Sequence, residues 1–388
     1  MIIKPARRTE SVQEYYFSRK LKEIAQMNAA RKAAGEVPVI NLGIGSPDGM
    51  PPMDAVEALC EGAVQAGNHA YQSYVGLPEL RMAFAHWYRR WYGVELDASS
   101  EIQPLVGSKE GILLISLAFL DKGDKVLVPD PGYPTYSSAS RLAEAEILTY
   151  DLKEDNGWKP DFEALEKMDL SGVKIMWTNY PNMPTGASAT EELYAELVAF
   201  GRRHGILICN DNPMSILSQP GAKDFCLELN SLSKAHNMAG WRIGMVAADA
   251  EVISQILKVK SQMDSGMFKP LQLAAVKALE QGSDWFAELN DEYRRRRVLA
   301  GEIFDMLGVT YDHSSAGMFL WGRVPQNVQD DNGISAGQVL SDRILYEAGV
   351  FITPGFIFGK RGENYIRISL CAKPDTLREA AERIRRIL

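Results

Sequence analysis

Short apolar runs separated by helix-like stretches occupy the middle of this chain, and they restrict its fold more than any other feature. The runs at residues 102–106, 126–128, 173–177, 206–209, 226–229 and 243–247 are too short for helices and show little alternation of apolar with polar residues. Helix-like stretches at 53–66, 77–91, 111–120 and 191–203 precede or separate them. Strands that are apolar on both faces belong to a mostly parallel sheet covered by helices on each side, which makes this an α/β chain. The rhythm then changes. A long helical pattern runs from Glu251 towards Met306, followed by strand patterns at 317–321 and 365–370. A closing helix opens at Pro374, with Thr376 and Glu379 spaced as a capping box. At about 100–200 residues per domain, 388 residues predict two domains. The expected division is a large domain over 51–275 with the mostly parallel central sheet, and a smaller α+β domain over 276–388. Residues 1–50, with a helix at 11–34 and a strand at 37–42, are expected to join the smaller one.

Composition narrows the function. The net charge of -8 argues against nucleic acid or an anionic membrane surface as partner, because both need a positive field. The run Arg294, Arg295, Arg296 and Arg297 does not reverse this: on a helix its members point in different directions, and Glu292 is close by. Four cysteines lie far apart without a C-x-x-C pair, and the five histidines are scattered, so reduced thiols and no metal site are expected. The N-terminal twenty residues are polar, and no apolar run approaches the ~18 residues of a membrane span. The expected location is the cytoplasm.

Polar residues gather directly after the apolar runs, where open α/β sheets bind ligands. In the segment S-L-S-K-A-H-N-M-A-G-W-R, Ser231, Ser233 and Lys234 leave a strand and Arg242 returns. Two hydroxyls and a guanidinium suit a phosphate, while a lysine amine condenses with a carbonyl to an imine. Asp211 ends another run, where a carboxylate can keep a pyridinium nitrogen protonated and make that ring an electron sink. Gly107, Ser108 and Lys109 precede an apolar helix whose first N–H groups can face an anion, without the spacing of a P-loop. Tyr133, in D-P-G-Y-P, can stack on a planar ring. A turn-rich run, N-Y-P-N-M-P-T-G, covers 179–186, and Arg367 interrupts an apolar strand pattern, so it needs an anionic partner. Taken singly, these also read as a surface lysine, a helix cap, a turn aromatic or a structural ion pair.

Together and in this order, the segments resemble the aspartate-aminotransferase superfamily, the class I/II aminotransferases of pyridoxal-phosphate fold type I, from about Asn41 to the C-terminus. Residues 15–21, the G-S-K-E-G segment and the stretch M-D-S-G-M-F at 263–268 are similar to the group containing LL-diaminopimelate aminotransferase. The resemblance implies pyridoxal 5'-phosphate as cofactor, held by Lys234 as a Schiff base, with Lys234 also moving the proton. It implies that Asp211 pairs with the ring nitrogen and Tyr133 stacks on the ring. Ser108, Lys109, Ser231, Ser233 and Arg242 would surround the phosphate. Arg367 and Gly45 would receive the substrate α-carboxylate. Tyr71 and Ser265 would reach the neighbouring subunit's phosphate, so a homodimer with shared active sites is expected. The implied reaction is ping-pong transfer of an amino group from an L-amino acid to a 2-oxo acid such as 2-oxoglutarate. A β-eliminating C–S lyase of the same fold would use the same residues. A non-catalytic cofactor-binding regulator would too, but it carries a DNA-binding module, for which the residues before Gly43 leave little room.

The chain departs from the family pattern twice. Met183 stands where N-P-T-G has an asparagine that hydrogen-bonds the ring oxygen, and a thioether cannot donate; adjacent Asn182 is the candidate replacement. Met214 stands three residues after Asp211, where a tyrosine is expected, in a segment shorter than the family's by on the order of ten residues. Without either donor, the imine made by Lys234 would keep its proton to higher pH.

Overall fold

All six apolar runs, and a seventh strand, form one sheet. The computed structural model describes residues 3–12, 14–211, 214–328 and 333–388. Numbered in chain order, the strands are β1 (Ile40–Asn41), β2 (Ile102–Leu105), β3 (Lys125–Asp130), β4 (Glu146–Asp151), β5 (Val173–Thr178), β6 (Leu207–Asp211), β7 (Cys226–Ser231), β8 (Gly244–Ala247), β9 (Thr310–Tyr311), β10 (Phe319–Arg323), β11 (Val350–Phe351), β12 (Thr353–Pro354) and β13 (Tyr365–Ser369). The large sheet has the order β2-β8-β7-β6-β5-β3-β4. Its pairs are parallel except β7–β8 and β2–β8, so six strands run one way and β8 alone runs the other. The strand without an apolar run, β4, is one of the two edge strands, β2 being the other. It is only half-buried, and polar Glu146, Thr149 and Asp151 break up its apolar residues.

Alternation along each strand divides the apolar residues between two layers. Val126, Val128, Ile175, Trp177, Leu227 and Leu229 face the helices Ser108–Phe119, Pro134–Leu142 and Ala250–Lys260. Leu127, Met176, Ile208 and Met245 face the opposite layer, with Phe84, Tyr88, Leu197 and Phe200. Large side chains removed wholly from water, such as Trp177, Tyr88 and Phe84, contribute about 1.5–3 kcal/mol each.

The remaining strands form two small sheets, β12-β13-β10-β9 and β1-β11. The pairing of Ile40 with Val350 and Asn41 with Phe351 joins the N-terminal segment to the C-terminal third. Ile40 and Leu42 share a core with Phe304, Leu320, Ile366, Ile368 and Leu377. The long helical pattern is three helices, Ala250–Lys260, Lys269–Leu279 and Ser283–Met306, interrupted at the turn containing Gly266, whose φ is +85°. The N-terminal helix spans Tyr16–Ala33, and the short helix Arg7–Glu10 precedes it; Gln13 lies outside the described residues. The capping box expected at the last helix is absent: Pro374 opens it, Lys373 is the cap without a side-chain bond, and Thr376 sits within the first turn. Proline at the first position presets φ and lacks the N–H that a cap would satisfy.

The four arginines are bound up in the fold. Arg294 pairs with Asp291 and Arg295 with Glu292. Arg296 is buried and bridges Glu292 to Asp48 at 2.7 Å, which fastens the turn after β1 to the helix Ser283–Met306. Arg297 donates to Ser315 and Gly317. No helix among the described residues is long and apolar enough to cross a membrane.

Lys260 is the most deeply buried lysine of these networks, 1% exposed, between Glu110 and Asp264. Glu110 also accepts the Val106 N–H, so one ammonium ties the loop before helix Ser108–Phe119 to the Ser265 turn. Removing one member of a buried pair strands the other charge. Lys260→Ala is expected to destabilise the protein by about 2–4 kcal/mol in chemical denaturation, more than the exposed-pair variant Lys277→Ala.

Candidate active site

The reversed strand β8 brings the candidate residues to one edge of the sheet. Parallel strands β2, β5, β6 and β7 end there, delivering Gly107–Ser108, Asn179, Asp211 and Ser231. Because β8 runs the other way, it begins at that edge, and its preceding residue pair, Arg242–Ile243, lies beside Ser231 and Gly107. Ser231 caps the one-turn helix Leu232–Ala235, which carries Lys234.

A positively charged cup forms around Arg242. Its Nη1 lies 3.3 Å from Ser233 Oγ and 2.9 Å from the Ala239 carbonyl. Ser231 Oγ donates to Ser233 Oγ at 2.8 Å and accepts the Ser233 N–H at 3.1 Å. The guanidinium lies against Gly107, where a Cβ would collide with Nη2, and Gly107 has φ +79°. Arg242 itself has φ +56°, a conformation in which non-glycine residues are uncommon and cluster at functional sites. The Ser108 N–H opens the following helix. Lys109 does not point into the cup: its Nζ sits 4.7 Å from the centre of the Tyr15 ring, and burial, then the Arg242 charge, lower its pKa. Among the described residues no acidic side chain bonds to Arg242, so the cup of hydroxyls, helix N–H groups and guanidinium fits a phosphate.

Asp211 closes β6 beside this cup. Its Oδ2 accepts the Tyr136 hydroxyl at 3.0 Å, and its backbone carbonyl accepts Asn179 Nδ2. Desolvation pushes its carboxyl up to about 6, with the Tyr136 hydrogen bond opposing. Among the described residues no cation stands against it, and a protonated pyridine nitrogen fits that need. Tyr136, stacked on Trp177 with centroids 5.0 Å apart, was not legible as a site residue; its only signal is its place one helical turn after Tyr133. Tyr133 packs edge-on against Tyr136 at 5.5 Å.

Arg367 is the opposite case, a cation without an acid among the described residues. It is 4% exposed and lies 3.8 Å from the Phe319 ring centre and 4.7 Å from that of Phe358. Nη2 donates to the Gly43 carbonyl at 2.8 Å, Nη1 lies 3.3 Å from Met183 Sδ, and Nε has no partner. Burial pulls its pKa down to about 9. Gly45 lies against the Phe319 ring, and its carbonyl accepts Lys234 Nζ. Lys234 keeps exposed surface; partial burial and the charges of Arg367 and Arg242 lower its pKa, against the Cys371 thiol.

Not every expected residue joins this cluster. Asn182 is turned into its own turn: Oδ1 accepts the Thr185 N–H and hydroxyl, and the residue is 4% exposed. Its amide oxygen is thus held within the turn. Asn212 and Pro213 lie outside the described residues. Met214 is exposed, and its carbonyl accepts from Tyr194 and Asn210. Tyr71 is 91% exposed and Ser265 is exposed, on adjoining segments: Gly266 lies against the backbone carbonyls of Gln72 and Ser73.

Residues 37–384 match the family model of aminotransferase class I and II. The chain is 40% identical over 396 residues to the LL-diaminopimelate aminotransferase of Maridesulfovibrio salexigens, covering 99% of both chains. It is also 40% identical over 362 residues to that of Aquifex aeolicus, covering 90% of this chain and 92% of the other. Among solved structures, substrate-bound BacF from Bacillus subtilis superposes with a TM-score of 0.91 at 33% identity, covering 100% and 98% of the two chains. A double mutant of Thermus thermophilus aspartate aminotransferase gives 0.87 at 26% identity over the whole of both. The chain thus belongs to the class I and II aminotransferases, pyridoxal-phosphate-dependent enzymes of fold type I that transfer amino groups.

Proposed function

We propose that this enzyme moves the amino group of an L-amino acid to a 2-oxo acid, 2-oxoglutarate in the first instance, in two half-reactions that share one site. The carrying observation is Arg367, a buried guanidinium with no acidic partner among the described residues and close enough to Lys234 for its charge to act there, which calls for a substrate carboxylate. LL-diaminopimelate, named by the relatives, is the first donor to test.

Ser231, Ser233, Arg242 and the N–H groups at Ser108 and Lys109 would hold the cofactor phosphate. Asp211, oriented by Tyr136, would keep the ring nitrogen protonated, and Tyr133 would cover the ring face. Bound pyridoxal phosphate supplies an aldehyde carbon for imine formation and a ring that accepts the electrons of a cleaved Cα–H bond. Lys234, its proton affinity lowered by burial and two guanidiniums, would then serve as the amine that takes the proton from the substrate Cα and returns it one position away. Arg367 and the backbone at Gly45 would orient the α-carboxylate so that this proton faces Lys234. Exposed Tyr71 and Ser265 support a homodimer in which they complete the partner's phosphate site.

Lys234→Ala is expected to lower turnover by at least about 10³-fold in an amino-acid panel with 2-oxoglutarate, scored by glutamate formed. Retention of full activity would sink the assignment; pyruvate and ammonia from cystathionine would point instead to β-elimination. A second prediction uses the cofactor-free protein. A carboxyl whose folded pKa is raised to about 6 weakens folding as pH rises from about 4 through 6. Cofactor-free Asp211→Asn should therefore gain up to about 2–3 kcal/mol over wild type, the gain growing over that interval and levelling above pH 6, as read by thermal denaturation.

A further inference from the structure

The Arg367 guanidinium is held on each in-plane side by something different. Nη2 meets the Gly43 carbonyl, Nη1 meets the Met183 sulfur at 3.3 Å, and Nε meets nothing, while the faces are covered by Phe319 and Phe358. Met183 is itself fixed. Its N–H donates to Asn179 Oδ1 at 2.7 Å, and Asn179 Nδ2 donates to the Asp211 carbonyl. The turn that follows is locked by Asn182 and Thr185. Met183 thus stands on a hydrogen-bonded path from the strand end that carries Asp211 and presents its sulfur to the opposite charge.

We propose that Met183 is a positioning and specificity-determining residue for the carboxylate of the substrate. This rests on the reading of Arg367 as the carboxylate's partner. A thioether is a weak, polarisable acceptor without charge or donor. It occupies Nη1 and holds the guanidinium plane, yet leaves the positive charge of Arg367 wholly available. An aspartate or glutamate there would neutralise that charge and repel the ligand. Each Nη carries a second N–H, so an incoming carboxylate can meet the guanidinium while the sulfur and the Gly43 carbonyl hold its plane. The site therefore selects planar carboxylates through Arg367 and nearby backbone, with an apolar wall on the Met183 side.

The test uses the cofactor-loaded enzyme and 3-phenylpropanoate, a carboxylate without an amino group, whose dissociation constant is read from the cofactor absorbance. Met183→Leu keeps the volume and removes the acceptor. The constant is expected to rise about 3- to 10-fold, with the amino-acid KM rising in parallel and kcat falling less. Met183→Gln, which restores an acceptor within reach, should recover most of that loss. Arg367→Lys is measured alongside. If Arg367→Lys leaves binding unchanged, the reading of Arg367 fails. If Arg367→Lys weakens binding while Met183→Leu matches wild type, only the role of Met183 is overturned. A crystal structure of the complex in which the carboxylate displaces the sulfur from Nη1 would overturn it too.

Discussion

An aspartate and an arginine, each partly or wholly withdrawn from water and neither facing a counter-ion of the protein, set the terms for this molecule. Asp211 has a tyrosine hydroxyl for company, and Arg367 has a backbone carbonyl, a sulfur and aromatic rings. Groups left this way cost stability, and their shifted pKa values register it: the carboxyl rises and the guanidinium falls. Joining them directly would remove the cost and also the function, since each charge is reserved for a ligand group of opposite sign. Asn179 and Met183 stand between them and keep both in place without neutralising either.

Such an arrangement needs a rigid frame, and the two apolar layers around the seven-stranded sheet supply it. The frame also decides which residues meet. Parallel strands all end at one edge, which collects Ser108, Asn179, Asp211 and Ser231 from across more than a hundred residues of chain. One reversed strand, β8, adds the start of a segment to those ends, so that Arg242 returns beside Ser233. The buried Lys260 network then fastens the loop that opens helix Ser108–Phe119 to the turn carrying Ser265.

Much of this was legible beforehand, for identifiable reasons. Two-face burial writes itself as continuous apolar runs, so six of the seven strands, the buried edge strand β2 among them, could be read. Edge strand β4, wet on one side, could not. The final helix shows the limit of local motifs: Thr376 and Glu379 have capping-box spacing, yet Pro374 sets the start one turn earlier. Asn182 shows the same limit at the site. Adjacency to Met183 marks it as a substitute donor, whereas the bonds of its amide oxygen within the turn carry no such local mark. Tyr136 carried no signal apart from its spacing from Tyr133, and Phe319 and Phe358 none at all, because what matters about them is which charge they cover.

By itself the sequence determined the class of fold, the family, and the chemical inventory: one lysine between hydroxyls and an arginine, one acid at a strand end, one arginine in an apolar strand. Those are properties of residue type and local spacing, which short-range sterics and burial make visible along the chain. Only the tertiary structure decided that Arg367 has a sulfur beside it, that Asp211 has a tyrosine and, among the described residues, no cation, and that the Asn182 amide oxygen closes its own turn. The first two are facts of approach between segments distant in the chain. They depend on packing that closes from all sides at once, which no stretch of sequence encodes alone.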